Sequence, residues 1–214
     1  MLEDVIRLVL ADAALVFGSL KLLWAVSMVM RDSSLVDIWF SPCIALAAIL
    51  GVFIAHGAEP RRGLSAVLAT IWAVRLGGYL AWRNWGREDP RYARFRKHIE
   101  DQGKNFAWYS FTRINLYQGA MVFFGLAPIM VAQTAPTPEA LGPLAYAGVA
   151  LSLLGVTLQG FADLQLARFK ADPANAGKVL DTVIHTQDAE ELRYVVLGNL
   201  TDRYAEGAGI AVTQ

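Results

Sequence analysis

The stretch R-L-G-G-Y-L-A-W-R-N-W-G-R-E-D-P-R-Y, running from Arg75 to Tyr92, turns from an apolar helix into a charged, aromatic loop within a few residues. That change of character marks the end of a membrane span: hydrocarbon favours the apolar run, while arginine and tryptophan gather where it gives way to headgroups and water. Upstream lie two further apolar segments, and downstream a basic loop, two more apolar segments and a polar tail. Hydrophobic residues make up 55% of the 214-residue chain and charged residues only 18%. They are arranged in blocks of roughly 20, the length a helix needs to cross about 30 Å of hydrocarbon. Within lipid only helices and closed barrels satisfy every backbone group. The sequence therefore predicts an all-α, polytopic transmembrane helical bundle.

Five segments qualify as spans, at about 8–30, 35–55, 63–84, 114–134 and 141–163. Short turns at Arg31–Ser34, His56–Gly63 and Thr134–Gly142 make successive spans antiparallel neighbours, with Pro60, Pro136 and Pro138 as breakers. Between the third and fourth spans, Trp82, Trp85, Tyr92, Phe95, Trp108, Tyr109 and Phe111 alternate with charges, as in a segment lying in the headgroup layer. An amphipathic interfacial helix is expected around 90–102. Residues 1–182 form the transmembrane domain and 183–214 a polar C-terminal tail, where 186–204 carries a helical pattern of Ala189, Leu192, Val195, Val196 and Leu200. Gly77-Gly78, Gly119-Ala120 and Ala145–Gly148 are expected at close helix contacts.

Charge sets the expected orientation. Nineteen basic residues balance nineteen acidic ones, which gives no general affinity for nucleic acid. Eight of the basic residues, Arg83, Arg87, Arg91, Arg94, Arg96, Lys97, Lys104 and Arg113, fall between the third and fourth spans. The positive-inside rule then puts the N-terminus outside and the C-terminus in the cytoplasm. The start M-L-E-D is acidic where a signal peptide is basic, so the first segment is expected to stay as a span. Cys43 reads as a small buried hydrophobe, and His56, His98 and His185 have no metal-ligand spacing.

Asp12, Lys21, Asp37, Arg75 and Asp163 lie in or at the ends of spans. Each costs about 2.5–3.5 kcal/mol at mid-membrane, so these residues are expected to face the bundle interior or a wet cavity. The arginine and aromatic cluster suits two ligands, the headgroups of lipids and a phosphorylated aromatic cofactor. Guanidinium binds phosphate in a bidentate manner and stacks on flat rings.

The residues also carry a family resemblance. Arg75-Leu76 through Arg83, Glu88-Asp89-Pro90-Arg91-Tyr92, Tyr117-Gln118-Gly119, Pro128, the run F-K-A-D-P-A-N-A-G-K-V-L-D-T at 169–182 and Val36-Asp37-Ile38-Trp39 together resemble the steroid 5-alpha-reductase-like family of bacterial integral membrane proteins. The resemblance covers roughly residues 10–182. It implies a bacterial inner-membrane reductase that takes hydride from NADPH on the cytoplasmic side and reduces a carbon–carbon double bond conjugated to a ketone, in a steroid or other membrane lipid. Hydride adds to the β-carbon while a donor stabilises charge growing on the carbonyl oxygen. By this resemblance Asp37 is the acid and Tyr79 the tyrosine that polarise the carbonyl, and an acid donates only when protonated, which burial favours. Arg83, Arg91 and Tyr92 would meet the cofactor, as would Asp163, Lys170, Asn175 and Lys178 in the nucleotide-facing segment. The chain departs from the family after Thr182. His185 is not followed by the family's proline-asparagine-tyrosine-phenylalanine, and nothing beyond 183 is long enough to span, so the expected seven spans become five with an incomplete cofactor site.

Two other readings compete. One is a membrane methyltransferase of the isoprenylcysteine carboxyl type, using S-adenosylmethionine. The other is a non-catalytic bundle that binds lipid or a partner. The sequence leaves the oligomeric state open.

Overall fold

The computed structural model describes residues 2–84, 86–178 and 180; Trp85, His185, the tail 183–214 and its expected helix at 186–204 lie outside them. The described residues are helical and contain no strand. Five helical stretches are long and apolar enough to cross a membrane, and the chain is an integral membrane protein. They are α1 (Leu2–Met30), α2 (Leu35–Ile54), α3 (Glu59–Arg83), the compound span Phe106–Thr134, and Pro143–Ala171. The expected interfacial helix is α4 (Pro90–Asp101).

The fourth span is built in pieces: α5 (Phe106–Tyr109), a π-helical segment (Ser110–Asn115), α6 (Leu116–Gly125) and α7 (Ala127–Thr134). It begins at Phe106 and not at 114, which corrects the sequence expectation. Trp108, Tyr109, Phe111 and Arg113 therefore ride on the helix and not in the loop. The reason is local: the Asn105 side chain caps the new helix by accepting from the Trp108 N–H at 3.2 Å. The last span is α8 (Pro143–Ala171).

Residues 1–156 form one compact unit and residues 157–214 a second. Within the first, α2 is the central helix, packing against α1, α3, α6 and α7. Its buried residues Ser41, Cys43, Ala45, Ala47, Ala48 and Gly51 are small, so neighbouring backbones approach closely. At the α2–α3 contact a Cβ on Gly77 would stand 3.1 Å from Ser41 Oγ and 3.2 Å from Pro42. Gly119 meets Phe17 and Leu20 in the same way, whereas Gly78 and Gly148 face open space, so only part of the small-residue pattern concerns packing. Indole N–H groups tie further helices together: Trp39 donates to Ser19 Oγ at 3.0 Å and Trp24 to the Ala107 carbonyl at 3.3 Å. In the buried region between α2 and α7, Gln133 donates to the Ala48 carbonyl at 2.6 Å.

The intramembrane charges divide. Asp12 is buried on the inner face of α1, as expected. Lys21 is exposed on the same helix, which corrects the expectation that it faces inward. Nine residues, roughly 14 Å of helix, separate the two. Arg75 is half-buried in α3.

Candidate functional site

The polar centre of the first unit sits where the N-terminus of α2, the C-terminus of α3 and helix α4 meet. Its formation is local before it is tertiary. Asp89-Pro90 is a helix start: the Asp89 carboxylate accepts from the Arg91 N–H at 2.9 Å, and Pro90, which has no N–H to satisfy, occupies the first turn. Once α4 is wound, Tyr92, Arg96 and Ile99 fall at i, i+4 and i+7 and turn inward together. At its far end, Gly103 adopts φ +68° and donates to the Glu100 carbonyl, while Lys104 N–H donates to Ile99 O at 3.1 Å. That Schellman closure stops the helix.

Three side chains converge on Asp37 in the first turn of α2. The Tyr92 hydroxyl donates to its Oδ1 at 2.7 Å, Gln118 Nε2 to the same oxygen at 3.2 Å, and Arg91 Nη2 to Oδ2 at 3.1 Å. Asp37 and Tyr92 are largely withdrawn from solvent, with 16% of the Asp37 side chain exposed. Burial, followed by the charge and hydrogen bond of Asp37, raises the Tyr92 hydroxyl well above the ordinary tyrosine range, so it stays protonated and donates.

A second carboxylate organises the arginines. Asp89 accepts from Arg91 Nε at 3.1 Å and Arg91 Nη2 at 3.1 Å, the bidentate geometry of a guanidinium and carboxylate, and from Arg83 Nη2 at 3.2 Å. Burial opposes its charged form, but the hydrogen bonds and charge of Arg91, with the charge of Arg83, prevail and hold it below the usual carboxylate range. Beside it, Glu88 accepts from Arg96 at 2.9 Å and from the Ser33 N–H at 2.8 Å, and the Arg96 guanidinium lies 4.3 Å from the centre of the Phe106 ring. Ser34 Oγ accepts from the Asp89 N–H at 3.2 Å, which fixes the loop to the start of α2.

The structure thus brings Asp37, Arg91 and Tyr92 into direct contact and joins Arg83 to them through Asp89. Tyr79 lies one turn before Arg83 on α3, with the Arg83 guanidinium 5.9 Å from its ring, and shares no hydrogen bond with Asp37. Asp163, Lys170, Asn175 and Lys178 belong to the second unit. There Asn175 donates its side-chain N–H to the Phe169 carbonyl at 3.1 Å and receives the Lys178 backbone N–H at 3.0 Å, while Lys170 and Lys178 are exposed.

Sequence reasoning passed over Gln118, Asp89, Glu88 and Arg96 as members of the site. Asp89 was readable from its place before Pro90, and Gln118 is a lone amide in an apolar span. Nothing local marks Glu88 or Arg96 as partners, because their pairing depends on how α4 docks.

The model of a family described as a protein of unknown function, DUF1295, matches residues 23–186, and the chain belongs to that family. No curated protein and no solved structure matches it.

Proposed function

We propose that this member of the DUF1295 family is a membrane-embedded reductase of a carbon–carbon double bond conjugated to a ketone, acting on a steroid or similarly apolar lipid at the cytoplasmic side of a bacterial inner membrane. The observation that carries the proposal is the trio of Asp37, Tyr92 and Gln118: a half-buried carboxylate that holds a tyrosine hydroxyl and an amide as hydrogen-bond donors at the mouth of an apolar helical bundle. The family resemblance of the motifs around Asp37, Arg91 and Gln118 supports the same chemistry.

In this reading Asp37 orients and does not donate, since it already accepts three hydrogen bonds. Tyr92 supplies the hydroxyl that turns from Asp37 to the substrate carbonyl, and Gln118 offers its remaining amide N–H. Charge growing on the carbonyl oxygen would be met by these donors, which Asp37 holds in place beforehand. The role expected for Tyr79 passes to Tyr92, the hydroxyl that is joined to the acid.

NADPH, when bound, supplies the hydride. Its phosphates do not suit Arg83 and Arg91, whose guanidiniums are taken by Asp89 and Asp37.

The test is NADPH oxidation by the reconstituted chain with a 3-oxo-4-ene steroid. Tyr92→Phe should lower turnover about 100-fold or more, the usual loss for one donor to a developing oxyanion, while Tyr79→Phe leaves it within a few-fold. Equal losses in both variants, or NADPH binding that fails up to millimolar concentration, would end the reading.

One observation favours a second reading, a non-catalytic bundle that binds lipid. The charges of Arg83, Arg91, Asp37 and Asp89 cancel, so this cluster closes on itself as a structural clasp does. Absence of NADPH binding in an otherwise folded protein would select it over the reductase.

A further inference from the structure

At the same end of the bundle as the charged cluster, an open groove of about 600 Å³ is lined by Lys104, Asn105, Trp108, Tyr109, Thr112 and Arg113. We propose that it binds the phosphate headgroup of an anionic phospholipid.

The groove is one face of the fourth span. Residues 105, 108, 109, 112 and 113 follow helical spacing, and the opposite face, Phe106, Ser110 and Ile114, is buried in the bundle. Its cations differ from those of the charged cluster. Arg83, Arg91 and Arg96 are each taken by a carboxylate. No carboxylate lines the groove: the Lys104 ammonium donates to the neutral Gln102 amide oxygen at 2.7 Å, and neither Lys104 nor Arg113 makes an ion pair among the described residues.

Their placement suits a lipid. Lys104 is fixed at the rim by the Gly103 turn that closes α4. Arg113 stands about two and a half turns further along the chain, roughly 14 Å deeper at helical rise, where an arginine reaches back toward the surface. Trp108, 69% exposed, and Tyr109 lie between the two, offering the amphipathic rings that settle at headgroup depth. Thr112 and Arg113 also belong to the π-helical segment, an irregularity that recurs at functional sites and shifts the helical register below it. A phosphate between the two cations, with its acyl chains along the exposed face of the span, satisfies all of these features. A free phosphate would leave the aromatic faces unused.

The experiment reconstitutes the full chain in phosphatidylcholine vesicles containing increasing fractions of brominated phosphatidylglycerol. Trp108 quenching is read as the difference between the chain and Trp108→Phe, with brominated phosphatidylcholine as reference. Two cations near a bilayer surface favour an anionic lipid by about tenfold or more. The preference should fall to parity in Lys104→Gln/Arg113→Gln and persist in Arg94→Gln/Lys97→Gln, whose charges lie on α4 outside the groove. It should also persist in Lys104→Arg/Arg113→Lys, which keeps both charges and guards against simple misfolding. Equal quenching by the two lipids, or a preference that survives Lys104→Gln/Arg113→Gln, would overturn the proposal. So would its loss in the charge-preserving variant. Displacement by inorganic phosphate at matched ionic strength would overturn it too, by assigning the groove to a free phosphate.

Discussion

Replacing Asp89 by alanine removes one carboxylate with several duties, and the structure allows the cost to be built up from its parts. The side chain caps α4, and losing such a cap costs about 1 kcal/mol. It also holds Arg83, 28% exposed, and Arg91, 56% exposed. Arg91 keeps Asp37 and can be solvated, so its share is that of a surface pair, about 0.5 kcal/mol. Arg83 is less exposed and retains only the neutral Asn84 oxygen at 3.1 Å; losing a charged hydrogen bond there costs about 1.5 kcal/mol. The sum, about 3 kcal/mol, falls on the docking of α4 and raises its opening equilibrium about 100-fold, since each 1.4 kcal/mol is tenfold. Hydrogen exchange of the α4 amides, followed by mass spectrometry in detergent or nanodiscs, reads that opening directly. Asp89→Asn separates the parts, because asparagine still caps a helix but carries no charge. It should accelerate exchange about 30-fold, close to the 2 kcal/mol of the ion pairs alone. Exchange within threefold of the parent in Asp89→Ala would refute the reasoning, and equal effects of the two variants would refute its division into cap and charge.

Acid should release the same helix. The Asp89 carboxyl titrates below its ordinary value in the folded chain, so its contribution is complete above about pH 4 and is lost as pH falls through the lowered folded value. Exchange of α4 amides, corrected for intrinsic rates, should rise below about pH 4 in the parent and show a smaller acid rise in Asp89→Asn. Arg96→Ala leaves Glu88, only 13% exposed, without its cation and also removes the guanidinium from the Phe106 ring. A loss of about 3 kcal/mol is expected in denaturant or SDS unfolding, against under 1 kcal/mol for the exposed Arg94→Ala. Gly77→Ala should destabilise by about 1 kcal/mol, because a Cβ 3.1 Å from Ser41 Oγ and 3.2 Å from the rigid Pro42 ring forces α2 and α3 slightly apart. Gly78→Ala, which faces open space, should be neutral or slightly stabilising in thermal unfolding, because alanine is the better helix former.

How much was legible in advance depends on the range of the forces involved. The spans, the antiparallel turns and α4 follow from apolar block length and local capping: α2, α3 and α4 lie within a few residues of the expected bounds, while α1 starts at Leu2 and not at 8 and α8 runs to Ala171 and not to 163, because a helix continues past the apolar block through residues of good helix propensity. The start of the fourth span differs from the expected one because Trp108, Tyr109 and Arg113 are interfacial in composition. The Asn105 cap and the burial of Phe106, Ser110 and Ile114 outweigh that composition. Gly77 and Gly78 are identical in sequence terms, and only helix phase puts the first against Pro42 and the second in open space.

By itself, then, the sequence determined that this chain lives in a membrane, which five stretches can cross it, and where charge collects. Lipid enforces the first, because a buried backbone must satisfy itself; apolar block length sets the second. Tertiary structure alone decided which charges meet. Asp37 and Tyr92 are 55 residues apart and Asp37 and Gln118 are 81 apart, and no local preference links them. Their contact, the cancellation of Arg83 and Arg91 against carboxylates, and the two cations left in the groove at Lys104 and Arg113 are consequences of how α4 and the fourth span dock on α1 and α2. Ion pairing is specific only once geometry has chosen the partners.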